Sequence, residues 1–171
     1  MGWKIVGGVD EKIEKCILIV IPHTSWVDFF IGLFTRGIIG LEMNWLGKKE
    51  LFSFPFGWYF RYMGGSPLDR KGGQNMVDAI VKMFEKRKIF RLGLAPEGTR
   101  KKVTELKTGF YYIAEKANIP IVPVAFNFAK KEVNIGNPFY TTDNIDADLK
   151  IVLLHFKGVV GKISENSFTI L

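Results

Sequence analysis

Two residues five positions apart, His23 and Asp28, frame the run His23-Thr24-Ser25-Trp26-Val27-Asp28 and carry the types needed for general-base chemistry. A histidine removes a proton when one ring nitrogen faces it and the other is held by an acceptor that fixes the tautomer. Asp28 is placed to be that acceptor. A substrate hydroxyl can then be activated directly, which suits a chain with no G-x-S-x-G run to supply a serine nucleophile. The competing explanation is structural: a loop histidine, and a first-turn acid that favours the dipole of the following helix. From the pair alone the two explanations stand about level. The other histidine, His155, lies among Leu153, Leu154 and Phe156 and reads as a packed or half-exposed side chain without a role. Two potential ligands without a further His or Cys cluster fall short of a zinc site, so no metal is expected.

Two further runs concentrate polar chemistry. In Ala95-Pro96-Glu97-Gly98-Thr99-Arg100-Lys101-Lys102, Gly98 lets the backbone approach a ligand, Thr99 can bond an oxyanion, and Arg100 can grip a phosphate through two parallel N–H groups. The plainer reading is a polar turn with Glu97 paired to Arg100. Gly64-Gly65-Ser66-Pro67-Leu68-Asp69-Arg70-Lys71 brings glycines up to another Arg-Lys pair, and taken alone is a surface turn before a helix cap.

The elements that position these runs follow from the apolar pattern. Cys16 to Ile21 is continuously apolar and rich in β-branched residues, as a strand buried on both faces of a parallel sheet would be. His23 then emerges just past its end. Ser25 and Asp28 resemble a capping box opening a helix through Phe29, Phe30, Leu33 and Phe34. A strand is expected from Leu41 to Leu46, a helix from about Gly73 to Lys88, and a strand from Ile89 to Ala95 stopped by Pro96. A helix over 108–118, a buried strand from Ile121 to Phe126, and a closing helix after Asp143 complete the alternation. The expected fold class is α/β, a mainly parallel sheet sandwiched by helices with functional loops at strand ends.

Composition narrows the setting. The 171 residues fit one domain, 1–171, large enough to bury a core without disulfides, and the single Cys16 lies in an apolar run as a reduced, inert thiol. Lysines and arginines outnumber acids 24 to 17, for a net charge of +7, which attracts polyanions without naming one. Phe52, Phe54, Phe56, Trp58, Tyr59 and Phe60 stand within residues 51–60 without a charge, and Lys48, Lys49 and Arg61 bracket them. That pattern fits an interfacial anchor, an acyl-chain groove, or an ordinary buried helix and loop. No apolar run approaches the roughly 20 residues of a spanning helix, so peripheral attachment is expected.

Taken together and in order, these runs resemble the glycerolipid acyltransferase family, best known for the 1-acylglycerol-3-phosphate acyltransferases. His23 to Asp28 matches its H-x4-D motif, and Arg70 the arginine of its second motif. Glu97-Gly98-Thr99-Arg100 matches its E-G-T-R motif, and Ile121-Val122-Pro123-Val124 its apolar proline motif. The resemblance implies transfer of a fatty acyl group from an acyl thioester, on coenzyme A or acyl carrier protein, to a hydroxyl of a lysophosphatidate-like glycerolipid. His23 would be the base and Asp28 its orienter. Arg70, Glu97, Gly98, Thr99 and Arg100 would bind the acceptor's phosphate and glycerol, and Pro123 would shape the pocket. No cofactor is implied beyond the thioester donor. The expected partners are the lysophospholipid, the donor and an anionic membrane surface on its cytoplasmic face, with no nucleic acid. Another lysophospholipid or an aminolipid as acceptor, and a non-catalytic module binding anionic lipid or nucleic acid, stand as alternatives.

Overall fold

A computed structural model describes residues 2–68, 76–142 and 144–168. These residues form a seven-stranded sheet in the order β1-β7-β6-β2-β5-β3-β4. The strands are β1 (Lys4–Gly7), β2 (Lys15–Ile21), β3 (Asn44–Lys48), β4 (Gly65–Leu68), β5 (Phe90–Leu94), β6 (Ile121–Asn127) and β7 (Glu132–Ile135). Every neighbouring pair is parallel except β6 with β7. The helices are α1 (Val27–Ile39), α2 (Gly57–Tyr62), α3 (Met76–Lys86), α4 (Gly109–Ala117) and α5 (Ile145–Leu153). The expected mainly parallel sheet between helices is therefore the observed architecture.

β2 is central because both of its faces are covered. Ile17, Ile19 and Ile21 pack with Ile80 and Phe84 of α3, Phe110 and Ile113 of α4, and Val152 of α5. Cys16 and Leu18 point the other way, onto Ile31 of α1 with Val122, Val124 and Phe126 of β6. Period-two alternation thus feeds two cores, and a continuously apolar run is what that requires. Burial pushes the Cys16 thiol up to about 12, with nearby Arg91 pulling slightly the other way, so the thiol is inert as expected.

β6 is buried along its whole length, although it contains Pro123. Proline has no N–H to give a ladder, and the antiparallel pairing with β7 begins one residue later, at Val124 opposite Ile135. The Pro123 carbonyl still accepts from Gly136 N–H at 2.8 Å.

Several expected boundaries move. The strand expected from Leu41 runs from Asn44, since Gly40 ends α1 in the left-handed region (φ 69°) and the chain must turn before Asn44 meets Leu92 of β5. The helix expected from Gly73 is described from Met76, and residues 73–75 lie outside the described residues. The segment read as a turn at 65–68 is instead the edge strand β4, where Pro67 needs no second ladder partner. The capping box forms only in part: the Ser25 hydroxyl accepts from Val27 N–H at 3.3 Å, and helix-opening Trp26 makes no side-chain cap. The reciprocal half is present, since Asp28 Oδ2 accepts the Ser25 N–H at 2.8 Å.

Residues 49–62 form a short 3-10 turn (Lys49–Phe52) and α2. Phe52 is buried, whereas Phe54 is 98% exposed and Phe56, Trp58, Tyr59 and Tyr62 are also exposed, so this segment is not a buried helix. Among the described residues no helix is long and apolar enough to cross a membrane.

Candidate active site

His23 stands two residues beyond the end of β2, at the carboxyl edge of the sheet. Its Nδ1 lies 3.2 Å from Asp28 Oδ2, and its side chain is partly exposed while that of Asp28 is buried. The same Oδ2 accepts the backbone N–H groups of Thr24 and Ser25, each at 2.8 Å. Asp28 therefore both closes the turn into α1 and holds the imidazole. Its other oxygen, Oδ1, is buried without a hydrogen-bond partner.

Glu97 comes from the turn after β5 and is 3% exposed. Its Oε2 accepts the His23 backbone N–H at 2.6 Å, while Oε1 is buried without a partner. Burial pushes its carboxyl above the ordinary value, the His23 N–H and ring pull it back, and the nearby Asp28 charge adds to the rise. The side chain expected to touch the acceptor thus holds the backbone of His23 from beneath. The plainer alternative, a turn in which Glu97 pairs with Arg100, is absent among the described residues.

Gly98 adopts φ 65°, and a Cβ there would come within 2.8 Å of Lys107 Nζ, so the ammonium lies directly over its backbone. Lys107 is held by its own N–H donating to Pro96 O at 2.9 Å. Thr99 Oγ1 accepts from Lys101 N–H at 3.3 Å. His23, Asp28, Gly98, Thr99, Arg100 and Lys107 all line one cavity of about 800 Å³, and Glu97 does not. Arg70 lies outside the described residues.

The cavity continues from this polar mouth between α1 and the sheet, walled by Leu18, Val20, Phe29, Leu33, Val124 and Phe126. Pro123, expected to shape the pocket, instead lies against Gly136, and β6 lines the cavity through Val124 and Phe126. His155 Nε2 sits 3.1 Å from Asn134 O, a packed position as expected.

Two contributors escaped the sequence reading. Lys107 is one lysine in a polar loop, and no periodicity marks it. The second is the chain after α5: Ile163 N–H donates to Thr24 Oγ1 at 3.1 Å, and Gly161 packs so closely on Thr24 that a Cβ would meet its Oγ1 at 2.7 Å. This segment braces the turn that carries His23.

The family model for "Acyltransferase" matches residues 7–127, which end where β6 ends. A 1-acyl-sn-glycerol-3-phosphate acyltransferase of Saccharomyces cerevisiae is 32% identical over 138 residues, 71% of this chain and 44% of that protein. One from Streptococcus pneumoniae is 27% identical over 142 residues, 76% of this chain and 52% of that protein. The chain thus spans about half the length of these relatives. The crystal structure of the 1-acyl-sn-glycerophosphate acyltransferase PlsC from Thermotoga maritima shares the fold, with a TM-score of 0.59 over 90% of this chain and 68% of that one, at 20% identity. With the family model matching residues 7–127 and a relative 32% identical over 71% of the chain, this chain belongs to the acyltransferase family.

Proposed function

We propose that this chain transfers a fatty acyl group from an acyl thioester, on coenzyme A or acyl carrier protein, to a hydroxyl of a lysophosphatidate-like glycerolipid. The observation that carries the reading is the His23 Nδ1 to Asp28 Oδ2 contact of 3.2 Å at the mouth of the cavity. With the proton of the neutral ring held on Nδ1 by Asp28, Nε2 is the basic nitrogen and takes the proton of the acceptor hydroxyl. The hydroxyl oxygen then attacks the thioester carbonyl, the carbon–sulfur bond breaks, and His23 returns the proton to the departing thiolate. No covalent enzyme intermediate is required.

Around the base, Arg100 and Lys107 supply cations for the acceptor's phosphate. The motif resemblance gives Arg70 the same phosphate-binding role. Gly98 and Thr99 let the glycerol backbone approach. The apolar walls between α1 and the sheet suit an acyl chain.

The same reading has the protein work on a membrane surface, with anionic headgroups on the cytoplasmic face. Trp26, Phe30, Phe34 and Ile38 recur every four residues along α1 and are exposed, with Ile38 at 74%. Edge-to-face contacts from Phe30 to Phe29 (5.6 Å), Phe29 to Trp45 (5.2 Å) and Trp45 to Phe60 (6.1 Å) join this ridge to α2, beside exposed Phe54, Phe56, Trp58 and Tyr62. Lys48, Lys49 and Arg61 stand beside the aromatic segment. Incubation with labelled acyl thioesters and a panel of lysolipids, with products identified by mass, tests the reading. Phosphatidate from lysophosphatidate supports it, product only from another lysophospholipid or an aminolipid redirects the acceptor, and no acylated product with either donor refutes it.

A further inference from the structure

The cavity lined by His23 also has polar side chains away from the catalytic pair. Arg36 stands eight residues along α1 from Asp28, about 12 Å at the helical rise. There Asn44 and Arg36 both line the wall.

Asn44 is 8% exposed; its Nδ2 donates to Gly64 O at 3.3 Å and its Oδ1 is buried without a partner. Arg36 converges on the same glycine: a Cβ on Gly64 would stand 3.4 Å from Arg36 Nη1. Among the described residues no carboxylate pairs with this guanidinium, which is half-buried. Gly64 cannot be replaced, since its φ is 82° and a Cβ would meet Met43 O at 2.4 Å. A buried acceptor without a donor costs about 1–3 kcal/mol, so a pocket built around one favours an occupant that donates to it.

We infer that the Asn44–Arg36 part of the cavity is a polar subsite for a hydroxyl group carried on the acyl chain, far from the thioester. The functional groups available to such a chain decide the class. A carbonyl or an ionised carboxylate accepts from Arg36 but gives nothing to Asn44 Oδ1, and an ammonium donates but is repelled by Arg36. A hydroxyl donates to Asn44 Oδ1 and accepts from the guanidinium. The intervening walls, apolar from Phe29 and Leu33 to Val124 and Phe126, match the methylenes between the two polar ends.

This inference rests on the acyl-transfer reading for what enters the cavity, and binding rather than turnover tests it. The probes are plain fatty acids and fatty acids of equal length hydroxylated at successive carbons, titrated against the full chain by equilibrium dialysis. For a hydroxyl placed well away from the carboxyl end, wild type is expected to bind the hydroxylated chain about five- to ten-fold more tightly, the ratio one satisfied buried hydrogen bond gives. Asn44→Leu and Arg36→Met should each abolish that preference while retaining the plain chain. Because Asn44 also bonds Gly64, melting curves check its fold, and Arg36→Met at the end of α1 gives an independent arm. Equal or weaker binding of every hydroxylated chain, binding of neither kind, or a preference that survives both substitutions overturns the inference. A failure of acyl transfer itself would appear separately, as absent product with a preserved binding ratio.

Discussion

Asp28 Oδ2 lies 3.2 Å from His23 Nδ1 while also accepting the N–H groups of Thr24 and Ser25, so one oxygen fixes both the catalytic ring and the turn that carries it. Position and tautomer of the imidazole are thereby set by a single buried group.

Substitutions at Asp28 should separate these two duties. Asp28→Asn keeps a carbonyl oxygen for the two backbone donors but removes the carboxylate that holds the ring proton. It should fold with little loss of stability and lose about 10²-fold or more in turnover. Asp28→Ala leaves two buried N–H groups unmet and should also cost about 2 kcal/mol or more in urea unfolding. Equal activity in Asp28→Asn and wild type would remove Asp28 from the mechanism.

Glu97 gives a pH-dependent prediction. Its folded value lies above the ordinary 4.5, so folding favours the protonated form. That contribution is whole below the unfolded value and is lost as pH rises through the folded one. Glu97→Gln does not titrate and keeps an acceptor for the His23 N–H. The stability of the variant relative to wild type should therefore increase on going from acid to neutral pH, as measured by urea midpoints across the series. Glu97→Ala, with the His23 N–H unmet, should lose activity that Glu97→Gln retains.

The cations at the mouth should act on the acceptor. Arg100→Ala and Lys107→Ala should each raise KM for a phosphate-bearing acceptor about ten-fold, the effect of losing roughly one charge-assisted hydrogen bond, and change KM for the thioester donor little. Kinetics with acceptor and donor varied in turn check this, and a donor-side effect would place these cations on the other substrate.

How much of this was legible in the sequence depends on how far each feature leaves a local pattern. β2, α4 and β6 were clear because burial on both faces, or on one helical stripe, writes itself into consecutive residues. β1, β4 and β7 were not, since each is four residues long and two of them are sheet edges with polar or exposed positions. Motif order brought His23, Asp28 and Gly98 to Arg100 to one place. It could not show that Glu97 faces the His23 backbone, because side-chain direction in a turn follows from packing across 74 residues of chain. Lys107, and the brace from Ile163 to Thr24, are long-range contacts of the same kind.

The exposed aromatics give a membrane prediction. Combined Phe54→Ser, Trp58→Ser and Tyr62→Ser should leave melting near wild type, since these side chains are exposed. The same changes should reduce flotation with anionic vesicles at low salt. Unchanged flotation would move the contact to the α1 ridge, where Phe34→Ser and Ile38→Ser provide the second test.

The central claim is that His23 takes the proton of the acceptor hydroxyl. The direct measurement is the initial rate of labelled acyl transfer to lysophosphatidate by wild type and His23→Ala, with folding matched by circular dichroism and melting curves. A fall of about 10²-fold or more in the variant, with thioester binding retained, is predicted. Turnover near the wild-type rate in a folded His23→Ala protein would contradict it.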